Sequence, residues 1–160
     1  MTLAGVPRRD ALRRHGLSPG AGLSVLVAGL LAMASGYRWF GEGRDYGDYL
    51  IFWSDIGSIS LLPQSRFEPG FTWMAWAFKN LGADYGLFAS FLVLVSLGIK
   101  FAVFYRQTRW PLAAVACYLG MFFFVHEYTQ LRMAVALAFA LLAAVAFGNG
   151  RWINAGLGLL

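Results

Sequence analysis

Between Tyr85 and Tyr105 the chain reads GLFASFLVLVSLGIKFAVF, a run broken by one charged residue, Lys100. Hydrocarbon offers no water to backbone N–H and C=O groups, so about 20 apolar residues in sequence specify a membrane-spanning helix. Three more runs approach that length: Gly20 to Phe40, Pro111 to His126, and Met133 to Phe147. A composition of 59% hydrophobic and 13% charged residues agrees with a bilayer and excludes an ordinary soluble domain. Lys100 lies toward one end of its span, where snorkelling to the headgroups is expected.

The expected fold is all-α and polytopic, with four transmembrane helices at 20–40, 85–105, 111–126 and 132–148. A basic head, 1–19, precedes the first, and Ala32-Met33-Ala34 behind it also fits a signal-peptide cleavage site. The polytopic remainder, which requires no cleavable leader, favours a retained span. Short connectors are expected at 106–110 and 127–131. The two short cores flanking the latter, at Pro111–Val125 and Met133–Phe147, each borrow a turn from it. The alanines after Met133 suit close helix packing. The long connector 41–84 is too polar to cross, but Pro69 to Leu81 is apolar, tryptophan-rich and short, so an interfacial helix is expected there. After Arg151, Trp152 to Leu160 read as the start of a fifth span. Nine residues cannot cross a bilayer, so the chain is expected to be the N-terminal part of a longer protein.

Orientation follows from charge. With the N-terminus cytoplasmic, Arg8, Arg9, Arg13, Arg14, Lys100, Arg106, Arg109 and Arg151 fall inside, while Arg38, Arg44, Arg66, Lys79 and Arg132 fall outside. The formal net charge of +5 is then a topological signal and gives no support for nucleic-acid binding. The single cysteine, Cys117, excludes an internal disulfide, and His15 and His126 lack partners at metal-ligand spacing. No metal or cofactor is expected. Phosphate-cradling GxxxxGK[ST], HExxH and GxSxG motifs are absent.

Three clusters remain, all expected on the outer side: Arg44-Asp45-Tyr46-Gly47-Asp48-Tyr49, Arg66-Phe67-Glu68-Pro69-Gly70-Phe71, and Glu127-Tyr128-Thr129-Gln130-Leu131-Arg132. If the last is helical, Tyr128 shares a face with Arg132, and Glu127 with Gln130. Singly, such charges read as solvated loop residues or membrane anchors. Together they suit an anionic, lipid-linked sugar: guanidiniums bind a diphosphate, a carboxylate accepts a hydroxyl proton, and aromatic faces stack on sugar rings. Charges clustered at one face, with almost none in mid-membrane, favour a surface-acting enzyme over a transporter.

At these clusters the chain resembles the EpsG family of Wzy-like polysaccharide polymerases, from about Leu23 to Phe147. The matching residues are Tyr37-Arg38 with Arg44-Asp45-Tyr46 and Tyr49, then Phe67-Glu68-Pro69-Gly70-Phe71, then Gln130-Leu131-Arg132 with Ala134. Q-L-R stands where many members carry an adjacent arginine–glutamine pair. The resemblance implies a bacterial inner-membrane glycosyltransferase, GT-C-like when full length, that joins undecaprenyl-diphosphate-linked repeat units into exopolysaccharide, capsule or O-antigen. It further implies that Arg132, Arg66, Arg44 and Arg38 hold the diphosphate, with Gln130 beside them. Glu68 or Asp45 would serve as general base, and Tyr46, Tyr49 and Trp73 would contact sugar. Its partners would be lipid-linked oligosaccharide, membrane lipids and other polysaccharide-export proteins. The alternative is a non-enzymatic transporter or assembly factor of the same pathway.

Overall fold

The computed structural model describes residues 19–41, 43, 45–57 and 67–148. The basic head, Arg44, Arg66 and the expected fifth span lie outside them. Among the described residues every regular element is helical: α1 (Pro19–Gly36), α2 (Tyr46–Asp55), α3 (Pro69–Asn80), α4 (Tyr85–Gln107), α5 (Pro111–Met121), a π-helical segment (Phe123–Thr129) and α6 (Leu131–Gly148). Helix starts follow local chemistry. Proline opens α3 and α5, where its missing N–H costs nothing, and the Asp84 carboxylate caps α4 by accepting from the Leu87 N–H at 2.7 Å.

Two helices, α4 and α6, are long and apolar enough to cross a membrane, and α5 with the π-helical segment makes a third if that bent pair is one span. The apolar part of α1, Gly20–Gly36, is shorter. Large apolar side chains such as Leu23, Leu26, Leu30, Met133 and Leu137 remain on the outside, as lipid-facing residues do. Ala134 and Ala138, four apart on α6, are fully buried, and the Ala134 carbonyl meets Ser96 of α4.

The α1 and α4 helices run antiparallel: Gly36 meets Gly86 and Ser90, while Ser24 hydrogen-bonds Tyr105 at 3.0 Å near the opposite ends. The crossing is close because two glycines leave room. A Cβ on Gly36 would stand 2.1 Å from Ser90 Oγ and 2.2 Å from the Gly86 carbonyl oxygen, and one on Gly86 would meet the Tyr37 ring. Gly98, on the same α4, faces open space.

Two elements differ from the sequence expectation. The polar connector carries a helix, α2, whose Tyr49 and Phe52 turn inward onto Phe67 and Phe71. The Gly, Asp and Ser residues on either side of the apolar run at 49–53 concealed that buried face. The run beginning at Pro111 also breaks: α5 ends at Met121, and Phe123–Thr129 departs from it at 69°. Three phenylalanines and a valine between positions 122 and 125 supply weak helix propensity at that point.

The glycine contact predicts that Gly36→Ala lowers stability in detergent by about 1–3 kcal/mol, the usual cost of overpacking. Gly98→Ala should be neutral or stabilising by up to about 1 kcal/mol. Thermal unfolding of the two variants side by side checks both.

Candidate functional site

The end of α1, the start of α4 and the start of α6 gather around α2 and the N-terminus of α3. Arg38 follows α1 in the left-handed region at φ 57°, unusual for a residue with a side chain. Its Nη1 donates to the Tyr128 carbonyl, and its guanidinium lies 4.7 Å from the Tyr46 ring centre and 5.0 Å from that of Tyr128. These contacts offset the roughly 1–2 kcal/mol that a left-handed residue costs. Tyr128 Oη in turn donates to the Gly41 carbonyl, so the segment after α1 is pinned to the segment before α6.

Arg132, in the first turn of α6, reaches Glu68 at the start of α3. Its Nη1 donates to both carboxylate oxygens, at 2.9 and 2.8 Å, and its guanidinium lies 4.5 Å from the Phe67 ring centre. Glu68 is largely exposed, and the hydrogen bond from Arg132 holds its carboxyl below the ordinary glutamate range.

Rings connect the two arginines. Arg38 covers Tyr46, Tyr46 leans on Tyr85, Tyr85 stacks on Tyr49, Tyr49 stacks on Phe67, and Phe67 underlies Arg132. The Nε atoms of Arg38 and Arg132 are both buried with no partner among the described residues. Guanidiniums at one end of an apolar bundle can bind anions through their accessible N–H groups.

The other expected site residues fall as follows. Asp45 precedes α2 without capping it through its side chain, and Tyr46 is half-buried in the ring path. Tyr49 is only 2% exposed and forms part of the floor. Trp73 is exposed on α3 and packs edge-on against Trp76. Gln130 is exposed at the junction between the π-helical segment and α6. Because the chain breaks there, Gln130 does not share a face with Glu127, which is buried.

Lys100 and Glu127 require a correction to the sequence reading. Lys100 does not snorkel: it is 1% exposed, and its three N–H groups have four acceptors within reach, Glu127 Oε1 at 2.5 Å, Tyr118 Oη at 2.8 Å, Ser96 Oγ at 2.9 Å and the Ala134 carbonyl at 3.0 Å. Glu127 lies inside the bundle, where Oε1 also accepts from Tyr118 Oη at 2.7 Å and Ser96 Oγ at 3.1 Å. Its Oε2 is buried without a partner among the described residues. Each charge is stable there because the bent chain brings it to the other. The sequence carries a lysine toward one end of an apolar run and an acid next to an aromatic residue, and no spacing rule pairs them. The bundle interior therefore does hold charge, contrary to expectation.

Among the described residues no group of three His, Cys, Asp or Glu side chains is placed to hold a metal. The exposed Cys117 is a free thiol on α5.

A bundle with apolar spanning helices and arginines at one end is a helical membrane protein. A family model, the EpsG family, matches residues 23–159, and the chain belongs to that family. This makes it a membrane protein of a family associated with polysaccharide biosynthesis. Comparisons with curated proteins and with solved structures give no match.

The Glu68–Arg132 pair predicts a pH effect of known sign. A carboxyl whose folded pKa is depressed stabilises the protein fully above its unfolded value, near 4.5, and loses that contribution as pH falls through the folded value. Wild type should therefore exceed Glu68→Gln in unfolding temperature at pH 7 and pH 5, by an amount worth at most about 1 kcal/mol at this exposed site. The gap should narrow at pH 3.5.

Proposed function

We propose that the protein is a polymerase of the glycosyltransferase type, joining lipid-linked oligosaccharide repeat units at the Arg38–Arg132 end of the bundle. The observation that carries this reading is the pair of guanidiniums at one end of the bundle, joined by a continuous path of aromatic rings. Family membership supports the pathway. The chain would cross a bacterial inner membrane four times from a cytoplasmic N-terminus, as part of a GT-C-like bundle when full length, with the arginine end outward.

In the proposed reaction, the acceptor hydroxyl oxygen bonds to the anomeric carbon of the donor glycan. The bond from that carbon to the diphosphate oxygen breaks, and undecaprenyl diphosphate leaves with the electron pair. Arg132 and Arg38, with Arg44 and Arg66 from neighbouring segments, stabilise the charge developing on the leaving group. Glu68 or Asp45 takes the acceptor proton. The diphosphate and Glu68 compete for Arg132, so donor binding releases Glu68 from the guanidinium and raises its basicity when a base is needed. Trp73 and Tyr46 offer faces to sugar, Gln130 offers an amide, and Tyr49 supports the floor beneath them.

The buried Lys100–Glu127 pair and the bend between α5 and the π-helical segment also favour a second reading, a transporter for the same lipid-linked glycan. Intramembrane charge and broken helices are features of transport sites.

Cells carrying Arg132→Ala, Arg38→Ala or Glu68→Ala in place of the wild-type protein should accumulate single lipid-linked repeat units on the outward face. Long polymer should fall about 100-fold or more for the arginines, as for loss of a donor to developing charge. Normal chain length at normal expression removes that residue from the mechanism. Repeat units trapped on the cytoplasmic face favour the transporter.

A further inference from the structure

A carboxylate buried beside lysine is one of the few groups able to fix the depth and register of a bent membrane segment, because any slip leaves two charges without partners. Glu127 is such a group. It joins the π-helical segment to α4 through Lys100 and Ser96, to α5 through Tyr118, and, because Lys100 also reaches the Ala134 carbonyl, to the first turn of α6. Tyr128, the next residue, presents the carbonyl that Arg38 grips, and Arg132 lies five residues beyond Glu127. A slip of one position in this segment would carry the Tyr128 carbonyl away from Arg38 and Arg132 away from Glu68.

We propose that Lys100 and Glu127 are positioning residues for the two-arginine anion site: their buried pair sets where the Tyr128 carbonyl and the Arg132 guanidinium stand. Neither residue touches the ligand. The inference rests on the anion-binding reading of Arg38 and Arg132 for its consequence, but its geometric core is independent of any reaction. All of the hydrogen bonds to Glu127 fall on Oε1 and none among the described residues on Oε2; an amide oxygen can accept at that position, but Glu127→Gln removes the negative charge and leaves the buried Lys100 ammonium without a counter-charge. Lysine and glutamate together span the gap between α4 and the π-helical segment. The exchanged pair has the same summed length and the same charges, so it can span that gap again.

The test uses the protein in lipid nanodiscs with Cys117→Ala, which removes the only cysteine, and nitroxide labels on Leu81→Cys and Met133→Cys, both exposed positions. Electron paramagnetic resonance reads the distance between α3 and the start of α6, and equilibrium binding reads affinity for inorganic pyrophosphate. Glu127→Gln should shift or broaden the distance distribution and weaken pyrophosphate binding by about 10–100-fold, the scale expected when binding groups are misplaced by an ångström. Lys100→Glu combined with Glu127→Lys should restore both, a rescue that a merely space-filling role would not give. Tyr118→Phe, which removes one donor and leaves the ion pair, should produce a smaller change of the same kind and serves if Glu127→Gln does not fold. An unchanged distance distribution in the folded single variants overturns the inference, as does an exchanged pair that folds and restores nothing. A shifted distribution rescued by the exchange, in a protein whose wild type binds no pyrophosphate, supports the positioning role and counts against the anion-binding reading alone.

Discussion

Glu127 has to find donors wherever the chain leaves it, since a carboxylate in an apolar interior is costly without them. Lys100 supplies them from α4, and the surrounding chain path follows from that meeting. The segment after α5 bends through 69°, winds as a π-helix past Glu127, and hands over to α6 at Leu131 beside the middle of α4. Such a pair adds little to stability compared with a well-packed apolar core, but losing one partner strands the other. Its consequence is definition of one arrangement among several that an apolar bundle would tolerate.

The arginine end is built on that arrangement. Arg38 reaches the Tyr128 carbonyl because α1 is held close to α4 by Gly36 and Gly86, while Arg132 reaches Glu68 because α3 begins beside the start of α6. Between them, α2 contributes Tyr46 and Tyr49 to a ring path that runs from one guanidinium to the other. Each side therefore combines an arginine with an aromatic surface, a pairing that favours planar cations over lysine.

Much of this was legible in the residues. The apolar runs required helices, Pro69 marked the start of α3, and the order of Arg38, Glu68 and Arg132 along the chain carried the resemblance that family membership establishes. The α2 helix was hidden because its inward residues are aromatic and its sequence reads as a polar loop when no partner surface is known. The break after Met121 was hidden because periodicity treats a continuous apolar run as one helix. Lys100 was assigned to the membrane surface because a lysine near a helix end ordinarily reaches water, and Glu127 to a loop because it stands among polar neighbours. Neither assignment can be corrected without knowing what each side chain meets.

By itself the sequence determined that this chain is helical and membrane-embedded, since backbone polarity in hydrocarbon permits few alternatives and long apolar runs are visible locally. It also determined the family, whose motifs are ordered along the chain. The tertiary structure alone decided which charges face one another: Arg132 with Glu68, Arg38 with a carbonyl, and Lys100 with Glu127. Those pairs join residues far apart in sequence, and their energies depend on burial and distance, which the folded chain creates and no local pattern encodes.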